Sequence, residues 1–297
     1  MEVSHVSRRW RSVAVNAGAL WTNMSVTCRR SSEVICLYLK RSGSYPLYVT
    51  FNLDGRPRES FNISPFRNNI IPHIHRIRQF FLQSVKEFNP TLFDDPLFRS
   101  HLPQLRRLII YWSPCYSVYA DNVAPGVFTG GTPLLTSVEL QGDGAIRLRP
   151  SFAAVTTLML GAVNTMRQWN AIHFHDFLAA APQLHSLCLD GEVIGSWKKT
   201  EPVAIPSLIS LNINFWNSDP IFAPCIVTTL MTPNLESLTL HGVNKLVTIG
   251  LASVLESQHR YPFLQSVHFY GLSIRDSYDQ FMTVLTMLPT VTHLSLV

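Results

Sequence analysis

The sequence predicts an α/β solenoid, a curved parallel sheet with helices on its convex side, preceded by a short helical segment. Three observations point there. A proline-led apolar frame recurs from residue 103 onward, its copies fall at intervals averaging roughly 27 residues, and the stretches between them carry helical amphipathic spacing. Composition agrees: of 297 residues 14% are charged and 46% hydrophobic, which excludes a disordered chain and suffices for a sizeable core.

The frame is Pro, any residue, then an apolar residue followed three and five positions later by further apolar residues. Its copies are Pro103 with Leu105, Leu108 and Ile110; Pro133 with Leu135, Val138 and Leu140; Pro182 with Leu184, Leu187 and Leu189; and Pro206 with Leu208, Leu211 and Ile213. Pro233 with Leu235, Leu238 and Leu240, Pro262 with Leu264, Val267 and Phe269, and Pro289 with Val291, Leu294 and Leu296 continue it. An eighth copy places Ala153 where the proline stands, with Val155, Leu158 and Leu160. The last two apolar positions are two apart, so in a strand both enter one face and the residue between them faces out. Helices are expected over 172–181, 226–231, 246–258 and 278–288, each ending at or shortly before the next proline, which disfavours helix in the residue preceding it. One unit cannot bury its apolar face alone, whereas stacked units share a continuous core. A repeat of this length and pattern resembles the leucine-rich repeat family.

Upstream the frame weakens. Ile77, Phe80 and Leu82 fit the spacing, and Leu47, Val49, Phe51 and Leu53 alternate like a strand. Residues 43–102 are expected to form degenerate first repeats and 103–297 regular ones, making 43–297 one repeat domain. The turn-rich stretch 52–62, with Gly55 and Pro57, reads as a surface loop, and Asp94-Asp95 before Pro96 reads as a helix start. The chain stops inside a strand at Leu296-Val297, which predicts an exposed apolar end.

At the N-terminus Val3, Val6, Trp10, Val13 and Ala14 recur at helical spacing, with Arg8, Arg9 and Arg11 on the rest of the surface. The run from Ser4-His5-Val6 through Trp10 to Val13-Ala14, then Leu20-Trp21, a short strand to Val26, a helix over 33–40, and Arg41-Ser42-Gly43 before the strand 47–53, resembles fungal F-box-like proteins. The resemblance covers roughly residues 3–53, and residues 1–42 then form a partial F-box-like segment. The family's opening Leu-Pro and first helix have no counterpart here. The resemblance implies that the N-terminal module binds the Skp-type adaptor of an SCF ubiquitin ligase through Val6, Trp10, Val13, Leu20 and Trp21, while the repeats hold a substrate protein. Read from the residues alone, the same helix equally caps the apolar end of the first repeat.

The net charge of +5 is unevenly spread: residues 1–110 hold 16 basic and 7 acidic side chains, residues 111–297 hold 8 and 12. A basic head carrying Arg8, Arg9, Arg11, Arg29, Arg30, Arg56, Arg58, Arg67, Arg76 and Arg78 attracts acidic partners, but no aromatic-interleaved motif or recognition helix accompanies it, which argues for a protein surface over nucleic acid. Five widely spaced cysteines form no C-x-x-C pair. They read as reduced packing residues, and without a secretory signal or an apolar run of bilayer length the expected location is cytoplasmic or nuclear, with no membrane partner.

The residues between the core leucines are those a ligand on the concave face meets. They include Tyr111, Glu139, Gln141, Asp190, Asn212, Asn214, His241, His268 and Tyr270, mostly neutral polar and aromatic, which suits a protein target and not a phosphate backbone. His173-Phe174-His175-Asp176 and His73-Ile74-His75 hold i, i+2 pairs; in the helical context expected for the first, such imidazoles point to nearly opposite sides, and no third ligand is signalled for either, so surface or packing histidines and no metal or other cofactor are expected. No nucleophile elbow, phosphate loop or dinucleotide glycine pattern occurs, and no catalytic residues are assigned. The sequence therefore points to a non-enzymatic interaction adaptor, an F-box-like substrate receptor of a ubiquitin ligase, with a repeat scaffold lacking any ligase link as the alternative.

Overall fold

The computed structural model describes residues 7–27, 31–53, 64–84, 95–112, 126–142, 151–161, 169–196, 202–216, 218–219, 222–257, 261–272 and 278–297. The chain divides into two compact units, Met1–Ser151 and Phe152–Val297, both mixed α/β with a parallel sheet. Among the described residues no helix is long and apolar enough to cross a membrane.

In the first unit the strands β1 (Asn23–Thr27), β2 (Leu47–Asn52), β3 (Ile77–Ser84), β4 (Arg107–Trp112) and β5 (Ser137–Gln141) pair in chain order, all parallel. The register aligns Met24, Val49, Phe80, Leu108 and Val138 in one row and Val26, Phe51, Leu82, Ile110 and Leu140 in the next. Every member of both rows is buried. Burial of such side chains stabilises by roughly 1.5–3 kcal/mol each, so a strand slip of one residue, which would turn both rows outward, is strongly disfavoured. Phe51 stacks on Phe80 at 5.2 Å, and Phe98 and Phe128 meet Phe80 edge-on at 5.8 and 5.1 Å, filling the space behind the strands.

Helix α1 (Arg8–Asn16) begins where Ser7 Oγ accepts a hydrogen bond from the Trp10 amide. A single 3-10 turn, Gly18–Trp21, then brings Trp21 inward, where its Nε1–H donates to the Ala14 carbonyl at 2.7 Å and its ring meets Tyr38 edge-on at 5.2 Å. Helix α2 (Ser32–Arg41) spans the expected 33–40 and ends on a buried cation. Arg76, at the end of the 3-10 turn Ile71–Arg76 that follows α3 (Ser64–Ile70), donates from Nη1 to Ser42 Oγ and the Tyr45 carbonyl and from Nη2 to the Leu39 carbonyl. A positive charge is favourable among the terminal carbonyls of a helix, although burial pulls this guanidinium's pKa below its ordinary value. Asp95 caps the short helix α4 (Pro96–Arg99) by accepting from the Leu97 amide at 2.9 Å, the helix start read from the sequence. Asp94 and most of the expected loop 52–62 lie outside the described residues.

In the second unit β6 (Thr157–Gly161), β8 (Ser186–Asp190), β11 (Ser210–Asn214), β13 (Ser237–His241), β14 (Ser266–Tyr270) and β15 (His293–Leu296) form a parallel sheet in that order. Leu158, Leu187, Leu211, Leu238, Val267 and Leu294 share one row, and Leu160, Leu189, Ile213, Leu240, Phe269 and Leu296 the other. The rows are buried except at β15, where Leu294 and Leu296 are exposed together with Val297. The helices are α5 (Ala171–Ala179), α6 (Phe222–Thr229), α7 (Lys245–Ser257) and α8 (Tyr278–Thr286). Expectation and structure differ most at α6. The stretch 226–231 is not one helix: α6 starts earlier at Phe222, and Leu230–Met231 is a strand, β12, paired with β10 (Val203–Ala204). A second small parallel pair joins β7 (Trp169–Asn170) to β9 (Ile194–Ser196).

The proline of the frame has a second role besides ending helices. In all eight copies the amide of the first frame leucine or valine donates to the carbonyl three residues earlier: Leu105 to Leu102, Leu135 to Thr132, Val155 to Phe152, Leu184 to Ala181, Leu208 to Ile205, Leu235 to Thr232, Leu264 to Tyr261 and Val291 to Leu288. Each is a β-turn with the proline at its second position, where a fixed φ near −65° is already the required angle and no amide hydrogen is needed. Ala153 fits the same turn, which is why that copy works without proline.

Candidate binding face

Residues between the buried rows form a mostly half-buried face in each unit, largely polar apart from Phe81, Ile109 and Met159. In the first unit the register sets Ile109 beside Glu139 and Tyr111 beside Gln141. Tyr111 donates its hydroxyl to Glu139 Oε1 at 2.5 Å, Gln141 Nε2 reaches the same oxygen at 3.4 Å, and Arg107 Nη2 meets Oε2 at 3.3 Å. Phe81 packs edge-on against the Tyr111 ring at 5.0 Å. Burial and the bond to Glu139 push the Tyr111 pKa up to about 12. The three predicted residues thus come together as one cluster in which the Glu139 carboxylate accepts from Tyr111 and Gln141 and pairs with Arg107. Ile109, from the same column, is buried. A depression of about 200 Å³ on this unit's sheet is lined by Asn23, Met24, Ser25, Tyr48, Thr50 and Gln79, all uncharged.

In the second unit one row runs Cys188, Asn212, Thr239, His268 and the next runs Asp190, Asn214, His241, Tyr270. Asn214 Nδ2 donates to Asp190 Oδ1 at 2.7 Å; His241 and Tyr270 stack with ring centroids 4.5 Å apart and planes 8° from parallel. Ser266 Oγ lies 2.8 Å from His268 Nε2. Asn212 stands half-buried between Cys188 and Thr239. All six predicted residues of this unit therefore occupy one face of one sheet.

Trp216 belongs with them and sequence reasoning passed over it. After β5, β8, β13 and β14 a glycine with positive φ turns the chain: Gly142 (86°), Gly191 (76°), Gly242 (69°) and Gly271 (66°). At the corresponding place after β11 stands Phe215, and Trp216 follows with its side chain out, 57% exposed. Its amide donates to Asn214 Oδ1 at 2.9 Å, and its ring extends over the next two glycine turns. A Cβ placed on Gly242 would stand 2.8 Å from the Trp216 nitrogen and 3.1 Å from Cγ; one on Gly271 would stand 2.6 Å from Cζ2. The available signal was Phe215-Trp216 standing where β8, β13 and β14 are each followed by glycine.

Of the predicted adaptor-binding residues, Trp10, Val13 and Leu20 are exposed at 54, 52 and 64%. Trp21 is buried and holds α1 to the rest of its unit. Val6 lies outside the described residues. Of the basic head, Arg8, Arg9, Arg11 and Arg78 are exposed, whereas Arg76 is internal and Arg67 pairs with Asp95 at 3.2 Å. Arg29, Arg30, Arg56 and Arg58 lie outside the described residues.

His73 Nδ1 sits 3.4 Å from Arg76 Nη2, and burial, Arg76 and His75 lower its pKa. His175 lies in α5, 3.7 Å from the neighbouring Asp176 carboxylate, and the His173 side chain is outside the described set. Among the described residues no group of three or more His, Cys, Asp or Glu is placed to hold a metal ion.

Comparison with protein-family models gives no match to this chain. Comparison with curated proteins gives none either.

Proposed function

We propose that the chain is a non-enzymatic interaction adaptor of the leucine-rich-repeat type, related to fungal F-box-like proteins, whose open strand face binds a target protein. The observation that supports this most is the row Asp190, Asn214, His241, Tyr270, an aligned set of polar and aromatic groups on a sheet whose other face is closed by leucines. Aromatic anchors among neutral hydrogen-bonding groups suit a protein interface. The exposed Trp10, Val13 and Leu20 supply an apolar surface for a Skp-type adaptor, making the protein a substrate receptor of an SCF-type ubiquitin ligase.

The reading without a ligase link is favoured by one contact, the buried Trp21 indole bonded to Ala14, because a helix fastened this way also serves as the cap of a repeat array. Co-purification of the chain with a Skp-type adaptor separates the two. Stoichiometric recovery that is lost in Trp10→Ala carries the ligase reading. No recovery, with target binding intact, leaves the scaffold.

A further inference from the structure

We infer that Trp216, with the stacked His241–Tyr270 pair, forms a subsite for a cationic side chain, the arginine or lysine of an extended segment of the target protein. The inference rests on the protein-binding reading above and names the chemistry of what that face takes.

The indole is exposed yet held. Its amide is tied to Asn214 Oδ1, and its ring runs along the backbone from Gly242 to Gly271, both lacking the Cβ that would lift it. An exposed aromatic ring held in place loses little conformational entropy on binding, and its free face presents the negative side of a quadrupole to a cation. The carboxylates beside it have the complementary sign. Asp190 is linked to the Trp216 amide through Asn214; Glu192 follows the neighbouring glycine turn; and Asp219, three residues beyond the indole, donates its amide to Glu192 Oε2 at 3.4 Å. The described acids on the indole's side of the sheet are Asp190, Glu192 and Asp219; Glu236 stands before β13 at the other end, and the first described Lys or Arg after the indole in sequence, Lys245, comes three residues after Gly242. An anionic or purely apolar partner meets the same carboxylates without a counterpart and is disfavoured by their desolvation.

The test uses the full chain labelled with 5-fluorotryptophan, the Trp216 fluorine resonance being assigned by its loss in Trp216→Phe. The probe is the peptide acetyl-Gly-Arg-Gly-Arg-Gly-amide, titrated to millimolar concentration beside the same peptide with citrulline for arginine, which keeps shape and hydrogen bonding but not charge. The expected result is a saturable shift of the Trp216 resonance with the arginine peptide, at least about fivefold weaker binding by the citrulline peptide, and a comparable loss in Trp216→Leu. Equal binding of the two peptides, no shift of the Trp216 resonance, or unchanged binding in Trp216→Leu with a native circular dichroism spectrum overturns the subsite. A null result with the arginine peptide removes the cationic subsite alone and does not bear on adaptor co-purification through Trp10 or on capture of a target by the rest of the face, so its failure is distinguishable from failure of the protein-binding reading.

Discussion

Arg76 donates to Ser42 Oγ at 3.0 Å with both residues almost wholly buried, and the same guanidinium satisfies the Leu39 and Tyr45 carbonyls. One side chain therefore closes the end of α2 and ties it to the turn before β3. Replacing it by Met keeps the apolar stem and takes the donor away from Ser42 Oγ and the Tyr45 carbonyl, while the Leu39 carbonyl keeps only the Ser42 hydroxyl. Arg76→Met is expected to destabilise the protein by about 3 kcal/mol in urea denaturation, against under about 0.5 kcal/mol for Arg9→Met on the exposed side of α1. Equal effects would remove the capping role.

His73, beside that guanidinium, gives the first unit an acid sensitivity. Its folded pKa is depressed, by burial first and by Arg76 second, so below the unfolded value of about 6.5 the unfolded chain binds a proton that the folded chain resists. The His73 contribution to stability is expected to be flat above that pH and to fall as pH drops below it. In His73→Gln the fall between roughly pH 6.5 and 5 becomes shallower in denaturation curves taken across that range.

The two glycines under Trp216 are predicted to respond differently to the same substitution. Both have positive φ, which costs an alanine about 1–2 kcal/mol. At Gly271 the added Cβ meets the far edge of the indole, a side chain that can move, whereas at Gly242 it meets the Trp216 main-chain nitrogen. Gly242→Ala is therefore the more damaging of the two. In a Trp216→Ala background the penalty of Gly271→Ala drops toward the φ cost alone while that of Gly242→Ala stays high, as a double-mutant cycle reads.

Tyr111 predicts an alkaline signature. Its folded pKa of about 12, raised by burial first and by Glu139 second, exceeds the unfolded value of about 10, so the stability that goes with the neutral, carboxylate-bound hydroxyl is full below pH 10 and is lost as pH rises toward 12. The stability difference between the parent and Tyr111→Phe is expected to be constant up to about pH 10 and to shrink above it. A difference that is flat through pH 11 would mean the hydroxyl is not held by the carboxylate.

The sequence by itself determined the strands from β2 onward that carry the frame, the inward rows at Leu108/Ile110, Leu187/Leu189 and their counterparts, and the turns at each proline. These follow from period-two alternation and from proline's fixed φ, properties a residue carries wherever its strand is placed. The same alternation put Tyr111, Glu139, Asp190, Asn214, His241 and Tyr270 on one face of their own units. Only the tertiary structure decided which of them touch: that Tyr111 bonds Glu139, that His241 stacks on Tyr270, that Trp21 turns inward to Ala14 while Trp10 stays out, and that Arg76 is internal although it reads as part of a basic surface. Each of these contacts joins residues brought together by another strand or turn, and for Trp216 the deciding partners are two glycines with no side chain to signal them. Local pattern sets the face a residue takes; the neighbouring strand sets what it meets there.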